Sequence, residues 1–188
     1  MKKIITLASL IIITLHCKAQ QIVPVEKMIE YRDADTEIPD RTYLKDVNGL
    51  LDKYLGTWKG TYDSKSFTFV ITKAKHDFLG ISVDELQIRY LITTLSGEVI
   101  EDTRSLPNAD ALVIQGDYIS KSLGYYVLNY FGKNTECGQS GEVFISTTKD
   151  NKQMKLFLAA YQGIIDGSKC PKVAEQILPT KSMFLSKQ

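Results

Sequence analysis

From residue 57 onward, apolar and polar side chains alternate in short runs, the period-two signature of strands with one buried face. Phe67, Phe69 and Ile71 take alternate places in 66–73. Runs of the same character fall at 58–62, 86–93, 97–103, 111–119, 124–132, 142–148, 153–161 and 180–187. β-Branched and aromatic residues dominate these runs. Turn chemistry separates them at Asp63-Ser64-Lys65, Leu95-Ser96-Gly97, Pro107-Asn108, Gly132-Lys133-Asn134 and Lys149-Asp150-Asn151. About eight to nine such strands predict an all-β antiparallel meander, closed as a barrel because closure removes exposed edges.

One helical pattern precedes the strands. In 46–55, Leu50 and Tyr54, and Leu51 and Leu55, are four apart; Asp46 is placed to cap the start and Gly56 to end it. The spacing predicts one short helix opening a single β-barrel domain over 46–188. Residues 20–45 hold no sustained period. Pro24, Pro39 and the charged run 32–37 read as an extended lead-in.

Residues 1–19 form a separate unit. Met1-Lys2-Lys3 and the apolar run 4–15 match the basic and apolar regions of a secretory signal peptide. The run is shorter than the roughly 20 apolar residues that cross a bilayer, so no transmembrane span is expected. Cys17-Lys18-Ala19 ahead of Gln20 fits the small-residue rule for cleavage. The alternative is lipidation at Cys17, with His16 where such signals carry a small residue. The expectation is an exported protein, periplasmic or extracellular, with a membrane-anchored lipoprotein as the alternative.

Composition adds mainly exclusions. Loss of residues 1–19 removes three of the 23 basic side chains and none of the 22 acidic ones. Such a balance lacks the basic stripe of a nucleic-acid binder and the polybasic motif of an anionic-lipid binder. Cys137 and Cys170 then remain as an even pair, each in turn chemistry, Cys137-Gly138-Gln139-Ser140-Gly141 and Ser168-Lys169-Cys170-Pro171. In an oxidising compartment they predict a disulfide closing a loop of about 34 residues. Zinc would require more soft ligands at close spacing, and no metal or cofactor is expected.

Candidate chemistry is sparse. Tyr125, Tyr126 and Tyr130, with Phe131, form the densest aromatic cluster, a strand-packing feature or an aromatic binding surface. His76-Asp77 places a base beside a carboxylate, but neighbours on an extended chain point to opposite faces, so a surface histidine is the plainer reading. Acidic clusters at Asp84-Glu85 and at Glu98, Glu101 and Asp102 lack any accompanying catalytic motif, and the balance leans away from an enzyme.

Gly56-Thr57-Trp58, entering a strand after a short helix, resembles the glycine-x-tryptophan signature of lipocalin-like (calycin) barrels. That resemblance implies that Gly56 and Trp58 plug a barrel end. Those barrels also carry a late arginine over the tryptophan, where the last strand here offers Lys181 and Lys187. The longer string 43–60, with Cys137-Gly138-Gln139-Ser140-Gly141, Cys170-Pro171 and Leu178-Pro179-Thr180, resembles a family of secreted bacterial domains without assigned function. The leading expectation is a monomeric, non-catalytic binding protein whose barrel takes a small apolar or amphipathic ligand. The alternative is an envelope or extracellular protein-interaction or inhibitor module with a filled barrel. A hydrolase using His76, Glu98 and Glu101 ranks third.

Overall fold

The computed structural model describes residues 20–121, 124–163 and 165–188. Residues 1–19, expected from the sequence to be a signal peptide, lie outside these residues. The strands are β1 (Gln21–Pro24), β2 (Thr42–Lys45), β3 (Gly56–Tyr62), β4 (Lys65–Phe78), β5 (Ile81–Thr94) and β6 (Val99–Asp102), followed by β7 (Ile114–Ile119), β8 (Tyr126–Phe131), β9 (Ser140–Thr147), β10 (Gln153–Ala160) and β11 (Met183–Lys187). Eight of them close a ring, β3-β4-β5-β7-β8-β9-β10-β11, and every neighbouring pair in it is antiparallel. The all-β barrel read from the alternation is the observed fold.

Alternation also sets the interior. Phe67, Phe69 and Ile71 of β4 face inward with Leu86, Ile88 and Tyr90 of β5, and the inward residues of β8 to β11 complete one buried cluster. The run expected at 97–103 is not a ring strand. It shortens to β6, which pairs only with the end of β5, while β7 takes the middle of β5. The β4–β5 hairpin is longer than expected: the pairing of β4 with β3 ends at Ile71, opposite Gly56, but β4 and β5 remain paired to Phe78 and Ile81.

The helix expected over 46–55 does not form. Gly49 has φ of +62°, a left-handed conformation that breaks a right-handed helix, and the Asp46 carboxylate accepts from the Leu50 and Leu51 amides at 2.7 and 3.2 Å. The chain turns, then makes one 3₁₀ turn at Asp52–Tyr54. Its buried pair is accordingly Leu51 and Tyr54, three apart as the tighter helix requires. The Trp58 indole, fully buried, donates to the Tyr54 carbonyl at 2.7 Å. The Lys187 ammonium lies 5.2 Å from its ring centroid, so one of the two late lysines reaches the tryptophan. Gly56 enters β3 at φ of +113°, which a side chain would strain.

The lead-in 20–45, read as extended, is built onto the barrel. β1 pairs in parallel with β2, and β2 in parallel with β5. A 3₁₀ turn at Val25–Lys27 runs into helix α1 (Met28–Asp33); the turn buries Val25 and the helix Ile29, four residues apart. Arg32 of α1 donates to Asp117 and Glu142 at 2.6 and 3.3 Å and lies over the Tyr118 ring. The one short helix thus stands earlier than expected.

The far end of the barrel is closed by the segment after Cys170. Cys137 and Cys170 form a disulfide with Cα atoms 5.4 Å apart. The Ala174 amide donates to the Cys137 carbonyl, and the Gln139 and Gln176 side chains donate to the carbonyls of Glu175 and Gly138. This strap sets Leu178, with Ile177 packed alongside, into the cluster that includes Phe67, Leu158 and Met183.

Candidate functional site

The barrel interior is occupied by its own side chains. Trp58, Tyr90, Tyr126, Tyr130, Phe67 and Phe69 are among its largest fully buried groups, Leu51 and Tyr54 lie at one end, and Leu178 at the other. Tyr90 Oη donates to Glu101 Oε1 at 2.6 Å, and the Lys133 ammonium lies 3.0 Å from Glu101 Oε2, while the buried Tyr130 hydroxyl has no hydrogen-bond partner. Glu98 lies in the exposed stretch before β6, and Glu101 pairs with Ile92 of β5, whereas His76 pairs with Val83. Nine residues of β5 separate the two, about 30 Å of strand, so His76, Glu98 and Glu101 do not form one site.

Of the three tyrosines singled out in the sequence, Tyr126 and Tyr130 are 1% and 0% exposed and face the core, so neither belongs to a surface. Tyr125 alone reaches the outer wall, where different residues accompany it. Phe144 of β9 and Phe157 of β10 are cross-strand partners, their rings nearly parallel with centroids 4.9 Å apart. Tyr125 meets both edge-on at 6.0 and 5.8 Å. Lys155 donates to Tyr125 Oη at 3.0 Å, with its ammonium 5.6 and 5.7 Å from the Tyr125 and Phe157 centroids. Lys155 is paired across the sheet with Phe184, which is 66% exposed, and Lys59 lies one strand further on, opposite Ser186. An aromatic patch rimmed by lysines therefore crosses strands at positions where a water-facing wall is ordinarily polar.

A second feature lies on the outer wall around the extended β4–β5 hairpin. Residues 108–113, ahead of β7, wall a cleft of about 360 Å³ with His76, Gln87, Gln115 and Phe131 among its lining. Arg89 holds that wall, donating to the Leu106 carbonyl and to Asn108 Oδ1. Gln87, 4% exposed, donates to Gln115 Oε1 at 3.0 Å, and Gln115 donates in turn to the Asn108 carbonyl at 2.7 Å. Glu85, 5% exposed, lies with its Oε1 3.4 Å from Gln87 Nε2 and 3.4 Å from His76 Nδ1. Among the described residues, no three or more His, Cys, Asp or Glu side chains group as metal ligands, and no helix is long and apolar enough to cross a membrane.

The pattern of a family of unknown function, DUF6705, matches residues 1–152. The chain belongs to DUF6705. No curated protein and no solved structure matches it. The matched part of this DUF6705 chain carries β1 to β9, with Trp58, His76, Gln87 and Tyr125; β10, β11 and Cys170 lie beyond it.

Beside the cleft of this DUF6705 chain, burial pushes the Glu85 carboxyl above its ordinary value of 4.5, opposed by His76 and by the Gln87 hydrogen bond. The folded state then holds this proton more tightly than the unfolded chain does. Ionised Glu85 is thus destabilising above the raised value, and the penalty fades as pH falls through it toward the unfolded one. Glu85→Gln is expected to raise the urea midpoint at about pH 8 and to raise it less at about pH 5. An equal gain at both would assign the effect to something other than ionisation.

Sequence reasoning placed His76 at a strand end but missed its partner. Glu85 stood out only as part of the Asp84-Glu85 acidic cluster and Gln87 only as a polar position of the 86–93 run, and the pairing of β7 with Gln87 and the 108–113 wall are remote in sequence.

Proposed function

We propose that this DUF6705 chain is an exported, non-catalytic interaction module that engages a partner protein through the aromatic patch on its outer wall. The observation that carries the reading is the Tyr125–Phe144–Phe157 cluster with Lys155 and exposed Phe184, on a barrel whose interior is taken by side chains. Export is supported by the signal-like residues 1–19 and by the Cys137–Cys170 disulfide. The filled interior favours this reading over a ligand carried inside the barrel. Exposed aromatic rings supply apolar contact area, and Lys59 and Lys155 favour a partner segment in which apolar side chains stand beside carboxylates.

The test places a photo-reactive benzoyl-phenylalanine at Phe184, with the same group at exposed Ile100 of β6 as control, in extracts of the native cells. The expected result is one discrete partner adduct from position 184 alone, reduced at least tenfold by Lys155→Glu. Equal labelling from both positions, or an adduct of two copies of this chain only, would contradict the proposal.

A further inference from the structure

We propose that the cleft beside the β4–β5 hairpin binds a neutral saccharide unit, held by the Gln87–Gln115 amide relay and stacked on Phe131. This site is separate from the aromatic patch: Tyr125 immediately precedes β8 and Phe131 ends it, six residues on, about 20 Å of extended chain.

The first observation is an acceptor without a donor. Gln115 donates its amide to the Asn108 carbonyl, which fixes its own oxygen toward Gln87. Gln87 must then present its NH₂ to Gln115 Oε1 and Glu85 Oε1, so the orientation of the amide is set by its neighbours. Gln87 Oε1 is left buried with no hydrogen-bond partner, on a side chain that lines the cleft. A buried acceptor in that state costs free energy that an entering donor would recover.

The second observation is the kind of donor the cleft suits. Its carboxylates are already engaged: Asp77 accepts from Ser82 Oγ at 2.6 Å and lies 3.1 Å from the Lys75 ammonium, and Asp110 accepts from the Leu112 amide at 2.9 Å. What remains for a ligand is an amide oxygen, the half-exposed His76 imidazole and an apolar wall of Val113, Ala111 and Phe131. Hydroxyl groups both donate and accept, which matches an amide and an imidazole without needing a counter-charge. Phe131, 45% exposed, offers a ring face whose negative quadrupole suits the C–H face of a pyranose. The volume, about 360 Å³, falls within the range of small-molecule sites, roughly 300–1,000 Å³.

The test is a titration of the ¹⁵N-labelled full mature chain with glucose, galactose, mannose, N-acetylglucosamine, cellobiose and chitobiose, following the side-chain NH₂ signals of Gln87, Gln115 and Asn108. Calcium chloride and tetramethylammonium chloride serve as cation controls. The expected result is a saturable shift of the Gln87 and Gln115 signals with at least one sugar and none with the cations. Phe131→Ala, at a surface position, should weaken that sugar at least tenfold while leaving the other amide signals in place, and Gln87→Leu should abolish the response. The inference is overturned if no sugar moves these signals, if the cations do, or if Phe131→Ala binds as tightly as the unaltered chain.

Discussion

Replacing both Cys137 and Cys170 with alanine is expected to lower the unfolding free energy by about 4 kcal/mol, the chain-entropy value for a loop of about 34 residues. The loss should be concentrated at one end of the barrel. The disulfide ties the 132–139 turn to the strap carrying Ile177 and Leu178, and the Leu158 amide donates to the Pro179 carbonyl at 2.7 Å just beyond it. Without the bridge, the strap depends on three hydrogen bonds between it and the 137–139 turn, each contributing about 1 kcal/mol. Urea unfolding of the double variant should show the lower midpoint, and hydrogen exchange should quicken first at Leu158 and Ala174. A midpoint unchanged from the oxidised protein would show that the strap holds without its staple.

Trp58→Ala should cost about 3–5 kcal/mol, the usual range for deleting a large buried ring. Trp58 is fully buried, and its indole N–H satisfies the Tyr54 carbonyl, so truncation opens a cavity and also leaves a buried acceptor unpaired. Trp58→Phe keeps most of the volume and loses the hydrogen bond, so it should fall well short of the alanine variant. Exchange should quicken at Tyr54 and Leu55, the opposite end from the one the disulfide governs. Two variants that loosened the same end, or a Trp58→Ala protein as stable as the parent, would contradict this division.

Period-two alternation made the barrel legible because each ring strand has one face in the core and one outside. Phe67, Phe69 and Ile71 could be placed from their spacing alone. The two faces of 124–132 were equally legible, since Tyr126, Leu128 and Tyr130 share one side. Both sides carry aromatic rings, so the pattern could not say which pointed inward; that follows from closure of the sheet. The short 46–55 pattern misled because a spacing of four was counted without weighing Gly49 against it. The lead-in was unreadable for a different reason: β1 and β2 have four residues each, β1 pairs only with β2, and β2 gains its partner from β5, about 40 residues further on.

The candidate sites depend still more on long-range contact. Phe144, Phe157 and Phe184 belong to three separate runs and look like ordinary strand residues until β9, β10 and β11 are placed side by side. The Gln87–Gln115–Asn108 relay requires the β5–β7 pairing, which the strand β6 interrupts in sequence. Of the chemistry picked out early, the disulfide was the most legible, because cysteine pairing leaves few alternatives in a chain with three cysteines.

A barrel filled by its own side chains, as the proposed outer-wall role requires, leaves no room for an apolar cargo. Native mass spectrometry of the protein purified from its own cells, compared with its mass after unfolding, tests it most directly. The expected result is the mass of the mature polypeptide in both states, with one disulfide and no apolar small molecule retained. A stoichiometric apolar ligand that leaves only on unfolding would contradict it.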